Sequence, residues 1–253
     1  MQLAILVNFP IGWRFDDHAR VAAQNDALAR LRRAPYIVGM NLGHDPIIGV
    51  ILAGGSARRM FRDGAGGDKG LIELAGLTML ERVRDRIAPQ VSHLILNANG
   101  DVGRFAHLGL EVVGDDGPGD EGPLAGLAAA FHWMGPHAPG HAALLTVSTD
   151  APFLPLDLVR RLQAERKPDQ VALAASGGRV HPVIGIWPVT VADDVKRALA
   201  DGQRSVEAFA KSHNAVAVSF PYTSHGSVSL DPFFNANTLD DLAAARKLLA
   251  TGL

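Results

Sequence analysis

The strongest constraint on this chain is a rhythm. From Pro46 onward, short apolar runs alternate with stretches of helical periodicity. "IIGVIL" (47–52), "VSHLILNAN" (91–99), "LEVVGDD" (110–116), "HAALLTVSTD" (141–150) and "AVAVSF" (215–220) read as strands, and so do the consecutive "QVALAASGG" and "RVHPVIGIW" (170–187). Between them, Leu80, Val83 and Ile87 recur at helical spacing until Pro89 breaks the pattern. Leu124, Leu127, Phe131 and Met134 line one face of a second helix, and "LPLDLVRRLQAE" reads as a third. Val191, Val195 and Leu199 mark a fourth, and "TLDDLAAARKLL" a closing one. Strands that alternate with helices of about 10 to 15 residues pair in parallel through right-handed crossovers. The expected fold is therefore α/β, a mostly parallel central sheet with helices on both faces. In such sheets ligands bind beyond the carboxyl ends of the strands, so the site residues belong there.

Composition removes several function classes. A formal net charge of -2 gives no bulk attraction to nucleic acid or to anionic membrane, so any anion site must be local. The absence of cysteine excludes disulfides, thiolate metal sites, iron–sulfur ligation and a cysteine nucleophile, and it fits a cytoplasmic protein. No apolar run approaches the ~20 residues of a membrane span. "MQLAILVNFPIGW" lacks the cationic start and small-residue cleavage site of a secretory signal. Residues 1–46 stand outside the rhythm, with five arginines, no lysine and one short helical pattern. They read as an N-terminal extension that the domain at 47–253 does not need, with Met40 as a second candidate start.

The segment that departs most from the rhythm follows the first strand. "LAGGSARRMFRDGAGGDKG" (52–70) holds six glycines and four basic residues against two acids. Glycines let successive backbone N–H groups converge on a phosphate, and Arg58, Arg59 and Lys69 would neutralise a polyphosphate. It is neither of the two common phosphate loops. Lys69 lies between Asp68 and Gly70 rather than before Ser or Thr, and the first glycines are adjacent where the dinucleotide fingerprint spaces them. Two other chemistries fail as well. His132, His137 and His141 are not spaced as three zinc ligands on one helix face, and "GGSAR" lacks the last glycine of a serine-nucleophile elbow.

"LAGG-S-A-R-R-M" followed by "DKG" resembles the signature of the nucleotidyltransferases with a Rossmann-like three-layer fold, and specifically of the molybdenum cofactor guanylyltransferases. The likeness continues through "LNAN" (Asn97), "VVGDD" (Asp115), "GPLAGL" (122–127), "STDAPFLP" (Asp150), "RVHPVIGIW" (His181) and "FFNANTLDDL" (Asn235, Asn237). The order of these motifs, spread over 47 to about 250, makes the resemblance specific. It implies an enzyme that transfers GMP from GTP to the phosphate of molybdopterin or its molybdenum-loaded form and releases pyrophosphate. The implied partners extend to molybdoenzyme apoproteins and cofactor-insertion proteins.

The resemblance also implies roles. Leu52, Ala53, Gly54 and Gly55 would meet the guanine, Asn97 and Asp115 the nucleotide, and Arg59 and Lys69 the triphosphate. Asp150 would hold Mg²⁺, while Asn235, Asn237 and His181 would lie near the pterin phosphate. On the residues alone, Asp150 reads equally as a turn or N-cap aspartate ahead of "LPLDLVRRL", "DDGPGDEGP" as a solvated turn, and "NTLDD" as a capping box. Two departures stand out: "FRDGAGG" makes the loop about four residues longer than the family's usual one, and Leu239 replaces a common proline. Two alternatives remain open here: CMP or another nucleotidyl transfer, and a nucleotide-binding adaptor without turnover.

Overall fold

In the computed structural model, residues 46–54, 68–117, 122–225 and 228–250 are described. Strand β1 (Ile48–Leu52) is followed by a two-stranded ribbon, β2 (Glu73–Leu74) and β3 (Leu77–Thr78), then helix α1 (Met79–Ile87), β4 (His93–Asn97) and β5 (Glu111–Val113). Helix α2 (Pro123–His137) leads to β6 (Ala143–Ser148), and α3 (Leu158–Glu165) to β7 (Ala172–Ser176). β8 (Arg179–Pro188) precedes α4 (Ala192–Ala200), α5 (Val206–Ser212) and β9 (Val216–Ser219). A hairpin, β10 (Thr223–His225) with β11 (Val228–Leu230), and α6 (Leu239–Ala250) complete the chain.

Seven strands form one sheet in the order β5-β4-β1-β6-β8-β7-β9. Six run parallel and β8 alone runs against its neighbours β6 and β7. The cause is local. β7 and β8 are joined by Gly177 and Gly178, both at positive φ, and a two-residue turn can connect only antiparallel strands. The chain passes from β1 to β4 and β5 on one side and returns to β6 on the other, so β1 and β6 meet where the winding changes direction. That is the place where doubly wound sheets bind ligands.

β1 is apolar throughout because both its faces are covered. Ile51 packs with Leu80, Val83 and Ile87 of α1 and Leu158 and Leu162 of α3. Ile48, Val50 and Leu52 point the other way, toward Leu124, Leu127 and Phe131 of α2 and Val195 and Phe209 of α4 and α5. This gives the expected three layers. α6 belongs to a separate cluster in which Leu242 and Ala245 meet Leu74, Met79, Phe153 and Leu230.

Three details differ from the sequence reading. α3 starts at Leu158, not Leu154, because a turn after Pro155 leaves Leu156 exposed. α2 continues to His137 although Pro136, in its last turn, has no N–H to donate to the His132 carbonyl. α5 and the β10–β11 hairpin have no counterpart in the periodicity. Among the described residues no helix is long and apolar enough to cross a membrane.

Candidate active site

Parallel register aligns the strand ends. Leu52 of β1 is level with Asn97 of β4 and Ser148 of β6, and Asn97 is level with Val113 of β5. Neighbouring strands lie about 4.8 Å apart, so Asn97 and Ser148 flank the end of β1 roughly 10 Å from each other. Two polar clusters grow from these positions.

The first surrounds Asp115, just beyond β5. Asn97 Nδ2 donates to Asp115 Oδ1 at 2.9 Å and to the Val113 carbonyl at 3.1 Å. Asn99 Nδ2 donates to Asp115 Oδ2 at 2.7 Å, and the Asp115 amide returns a bond to Asn99 Oδ1 at 2.8 Å. Two neutral amides thus fix the carboxylate while leaving it further lone pairs for a ligand's N–H or O–H groups. Asn99 was not singled out in the sequence, although its i+2 spacing from Asn97 in "NAN" is the available signal. Leu52 and Ala53 are buried beside this cluster and Gly54 is exposed. The Ala53 amide bonds the Asn97 carbonyl at 2.9 Å, extending the ladder past the end of β1.

Gly126 explains the glycine in "GPLAGL". A Cβ at that position would collide with Asn97 Oδ1 and lie 2.9 Å from Leu52 Cδ2. Helix α2 can approach the ends of β1 and β4 this closely only without a side chain. We predict that Gly126→Ala costs about 1–3 kcal/mol by overpacking and displaces Asn97 from Asp115. Thermal unfolding measures the cost, and amide NMR of Asn97 and Asp115 checks the displacement; an unchanged Asn97 signal would refute the coupling.

The second cluster is built on Lys69. Asp68 caps the short 3-10 turn Lys69–Leu71 by accepting from the Gly70 amide at 2.9 Å, and Arg104 Nε reaches Asp68 Oδ2 at 3.4 Å. The capped turn directs Lys69 inward, leaving it only 9% exposed, which excludes a merely solvated loop cation. Its ammonium donates to Asp150 Oδ2 at 3.2 Å and to Asn237 Oδ1. Asp150 Oδ1 accepts from the Ser148 hydroxyl at 2.5 Å. The reading of Asp150 as a cap for α3 therefore fails, since both carboxylate oxygens are engaged at the strand end. Asn237 is held in turn: its amide and that of Thr238 donate to Asp241 Oδ2 at 2.9 and 2.8 Å, and the Asp241 amide bonds Thr238 Oγ1, a capping box for α6. Asp241 stays below the usual carboxylate range; burial opposes its ionisation but is outweighed by the Thr238 and Asn237 hydrogen bonds and the Lys69 charge. The Ala236 amide bonds the Asp150 carbonyl at 2.9 Å, which docks the asparagine loop on the strand end.

Could this cluster hold a divalent metal? An ammonium already bridges a carboxylate oxygen and a carboxamide oxygen. Hard oxygens on two separately braced loops are donors that Mg²⁺ takes, one carboxylate with the rest from substrate and water. The residues fit such an ion at Asp150 with Asn237, provided that Lys69 moves off them.

His181 lies near the same edge on β8, buried at 8% exposure. The register with β7 shifts at Leu173/Ala174, where Pro182 has no N–H to give the ladder. The shift sets His181 opposite Ala174, with its Nε2 2.8 Å from Ser176 Oγ. Burial pushes its pKa below the ordinary histidine value, helped by Arg179 and opposed by Asp231 and Asp150. Asn235 is half-buried two residues before Asn237 on the same loop. Gly55, Arg58 and Arg59 lie outside the described residues. His137 and His141 are spent elsewhere, on the Trp133 carbonyl and on Ser92 with the Ala138 carbonyl.

Comparison with known proteins meets this geometry. Residues 49–217 match the model of the MobA-like NTP transferase domain. A molybdenum cofactor guanylyltransferase of Bradyrhizobium is 48% identical over 205 residues, covering 80% of this chain and 92% of the relative. One from Nitrobacter hamburgensis is 46% identical over 83% of this chain and 98% of its own length. The chain belongs to the molybdenum cofactor guanylyltransferase family. Solved structures agree on the fold: a nucleotidyl transferase from Methanothermobacter superposes with TM-score 0.62 at 20% identity over 83% of this chain and 100% of its own. The molybdopterin-guanine dinucleotide biosynthesis protein A from Archaeoglobus fulgidus gives 0.60 at 20% identity over 81% of this chain and 99% of its own. Within the family's fold, the sequence had pointed to Lys69, Asn97, Asp115, Asp150, His181 and Asn237. Their partners Asn99, Ser148, Ser176 and Asp231, and Arg104 on the capping residue Asp68, emerged only from the structure.

Proposed function

We propose that this chain transfers GMP from GTP to the phosphate of molybdopterin or its molybdenum-loaded form, releasing pyrophosphate. One observation carries the reading: in a chain so similar to guanylyltransferases, Lys69, Asp150 and Asn237 converge at the strand edge beside a preorganised Asn97–Asp115 clamp. In this reading Leu52 to Gly55 and the clamp bind guanosine, and Lys69 with Arg59 meets the triphosphate. Asp150 and Asn237 would hold Mg²⁺, which would supply charge neutralisation at the phosphates. The catalytic domain spans 47–253, and residues 1–46 are an extension to it.

An oxygen of the acceptor phosphate attacks the α-phosphorus, and the bond from that phosphorus to the leaving pyrophosphate breaks. The attacking oxygen is already ionised at neutral pH, so no strong general base is required. The difficulty is bringing two polyanions in line, which positioning and fixed positive charge overcome. Lys69 serves both ends of that task. In the free protein its ammonium holds Asp150 and Asn237 together, and with nucleotide bound the same ammonium would pair with phosphate oxygens.

Pyrophosphate release from the purified chain with GTP or CTP, with and without molybdopterin, tests the assignment. Release is expected only when the acceptor is present, and CTP is expected to give under about a tenth of the rate with GTP, a difference of more than ~1.4 kcal/mol. Preference for CTP would make the enzyme a cytidylyltransferase. Nucleotide binding without release would make it an adaptor.

A further inference from the structure

Ser176, Asp231 and His181 form a chain of hydrogen bonds that the transfer of GMP, as derived above, does not use. Ser176 Oγ lies 2.7 Å from Asp231 Oδ1 and 2.8 Å from His181 Nε2, and Ser176 is 2% exposed. The arrangement differs from a nucleophilic triad, because the serine stands between the other two. A carboxylate can only accept, and a hydroxyl has one hydrogen, so Ser176 donates to Asp231. Its oxygen then offers His181 only a lone pair, and Nε2 must carry the proton. Among the described residues no group is hydrogen-bonded to His181 Nδ1.

Asp231 is itself fixed. Its Oδ1 also accepts from the Phe233 amide at 2.9 Å, and its carbonyl accepts from the Phe234 amide at 3.0 Å. Phe233 is buried with its ring 4.8 Å from that of His181 and 5.1 Å from that of Phe220. The turn that begins the loop to Asn235 and Asn237 is therefore the same turn that sets the histidine's proton.

We propose that Ser176 and Asp231 are positioning residues that hold His181 as the neutral Nε2–H tautomer, so that Nδ1 accepts a hydrogen bond from an N–H or O–H donor on the acceptor substrate. The inference rests on the guanylyl-transfer reading for the identity of that substrate. An ionised phosphate has only acceptor oxygens, so it cannot satisfy the Nδ1 lone pair. In this proposal His181 reads the heterocycle of the acceptor rather than its phosphate. Burial, which keeps the imidazole uncharged, works in the same direction.

Nitrogen NMR of the full chain carrying ring-¹⁵N histidine provides the test, with His181 assigned by the signal lost in His181→Asn. At pH 7.5 the His181 signals are expected to show a protonated Nε2 and a bare Nδ1, unchanged by GTP or inorganic phosphate. Molybdopterin should shift Nδ1. Ser176→Ala should let the two tautomers mix and raise the acceptor KM about tenfold, the size of one hydrogen bond, with the GTP KM within about twofold. Ser176→Thr should restore both readouts. An Nδ1–H tautomer, an imidazolium formed on adding phosphate, or equal rises in both KM values would overturn the proposal. If the Nδ1 shift appears but no GMP is transferred, the guanylyl-transfer reading fails while acceptor recognition by His181 stands. Transfer without the shift sinks the recognition alone.

Discussion

Asp150→Ala is expected to lower kcat by about 1,000-fold or more while the protein stays folded, because the change removes the carboxylate that we propose holds the metal against the triphosphate. Charge stabilisation of that kind contributes several kcal/mol, and each 1.36 kcal/mol is a factor of ten in rate. A stability cost accompanies it. Lys69 is nearly buried, and without Asp150 its ammonium keeps Asn237 but loses the opposite charge. Asp150→Asn separates the two effects, since the amide can keep its one oxygen for Lys69 and turn its NH2 as donor to the Ser148 hydroxyl while removing the negative charge. Circular dichroism and single-turnover GMP transfer measure fold and chemistry independently. An Asp150→Asn enzyme with Mg²⁺-dependent activity near that of the parent would refute Asp150 as the metal ligand.

Lys69→Met should reduce kcat/KM for GTP by about 100-fold or more, within the range found when one preorganised donor is taken from a developing charge. Methionine matches the stem in length and apolar character, so the substitution removes the charge with little loss of packing. Lys69→Arg should not rescue. The ammonium sits as a point charge between Asp150 and Asn237, and a planar guanidinium fork presents its donors in a different geometry. Steady-state kinetics with GTP varied at saturating acceptor give the measurement. A loss confined to the acceptor KM would place Lys69 on the pterin side instead of at the triphosphate.

Some of this protein follows from its sequence alone. The alternation of apolar runs with helical periods reports how each segment is buried, and burial period is a local property. It was enough to give the α/β class, the layers of helices and the position of the site at the strand ends. The capping box at Thr238 with Asp241 is equally local, as is the Gly177–Gly178 turn that reverses β8.

What the tertiary structure decided are the pairings. Lys69 meets Asp150 across 81 positions and Asn237 across 168, and Ser176 meets Asp231 across 55. No periodicity encodes such contacts, because they depend on sheet register and on where a loop folds back onto a strand end. Asp150 shows the difference most plainly: its sequence neighbourhood supports a helix cap, whereas Ser148 and Lys69 take both carboxylate oxygens. The same holds for His181, whose protonated nitrogen is set by a hydroxyl and a carboxylate from two other segments. Local sequence chose which residues stand at the sheet's edge, and the long-range packing of β1, β6, β8 and the 231–237 loop chose what each of them touches.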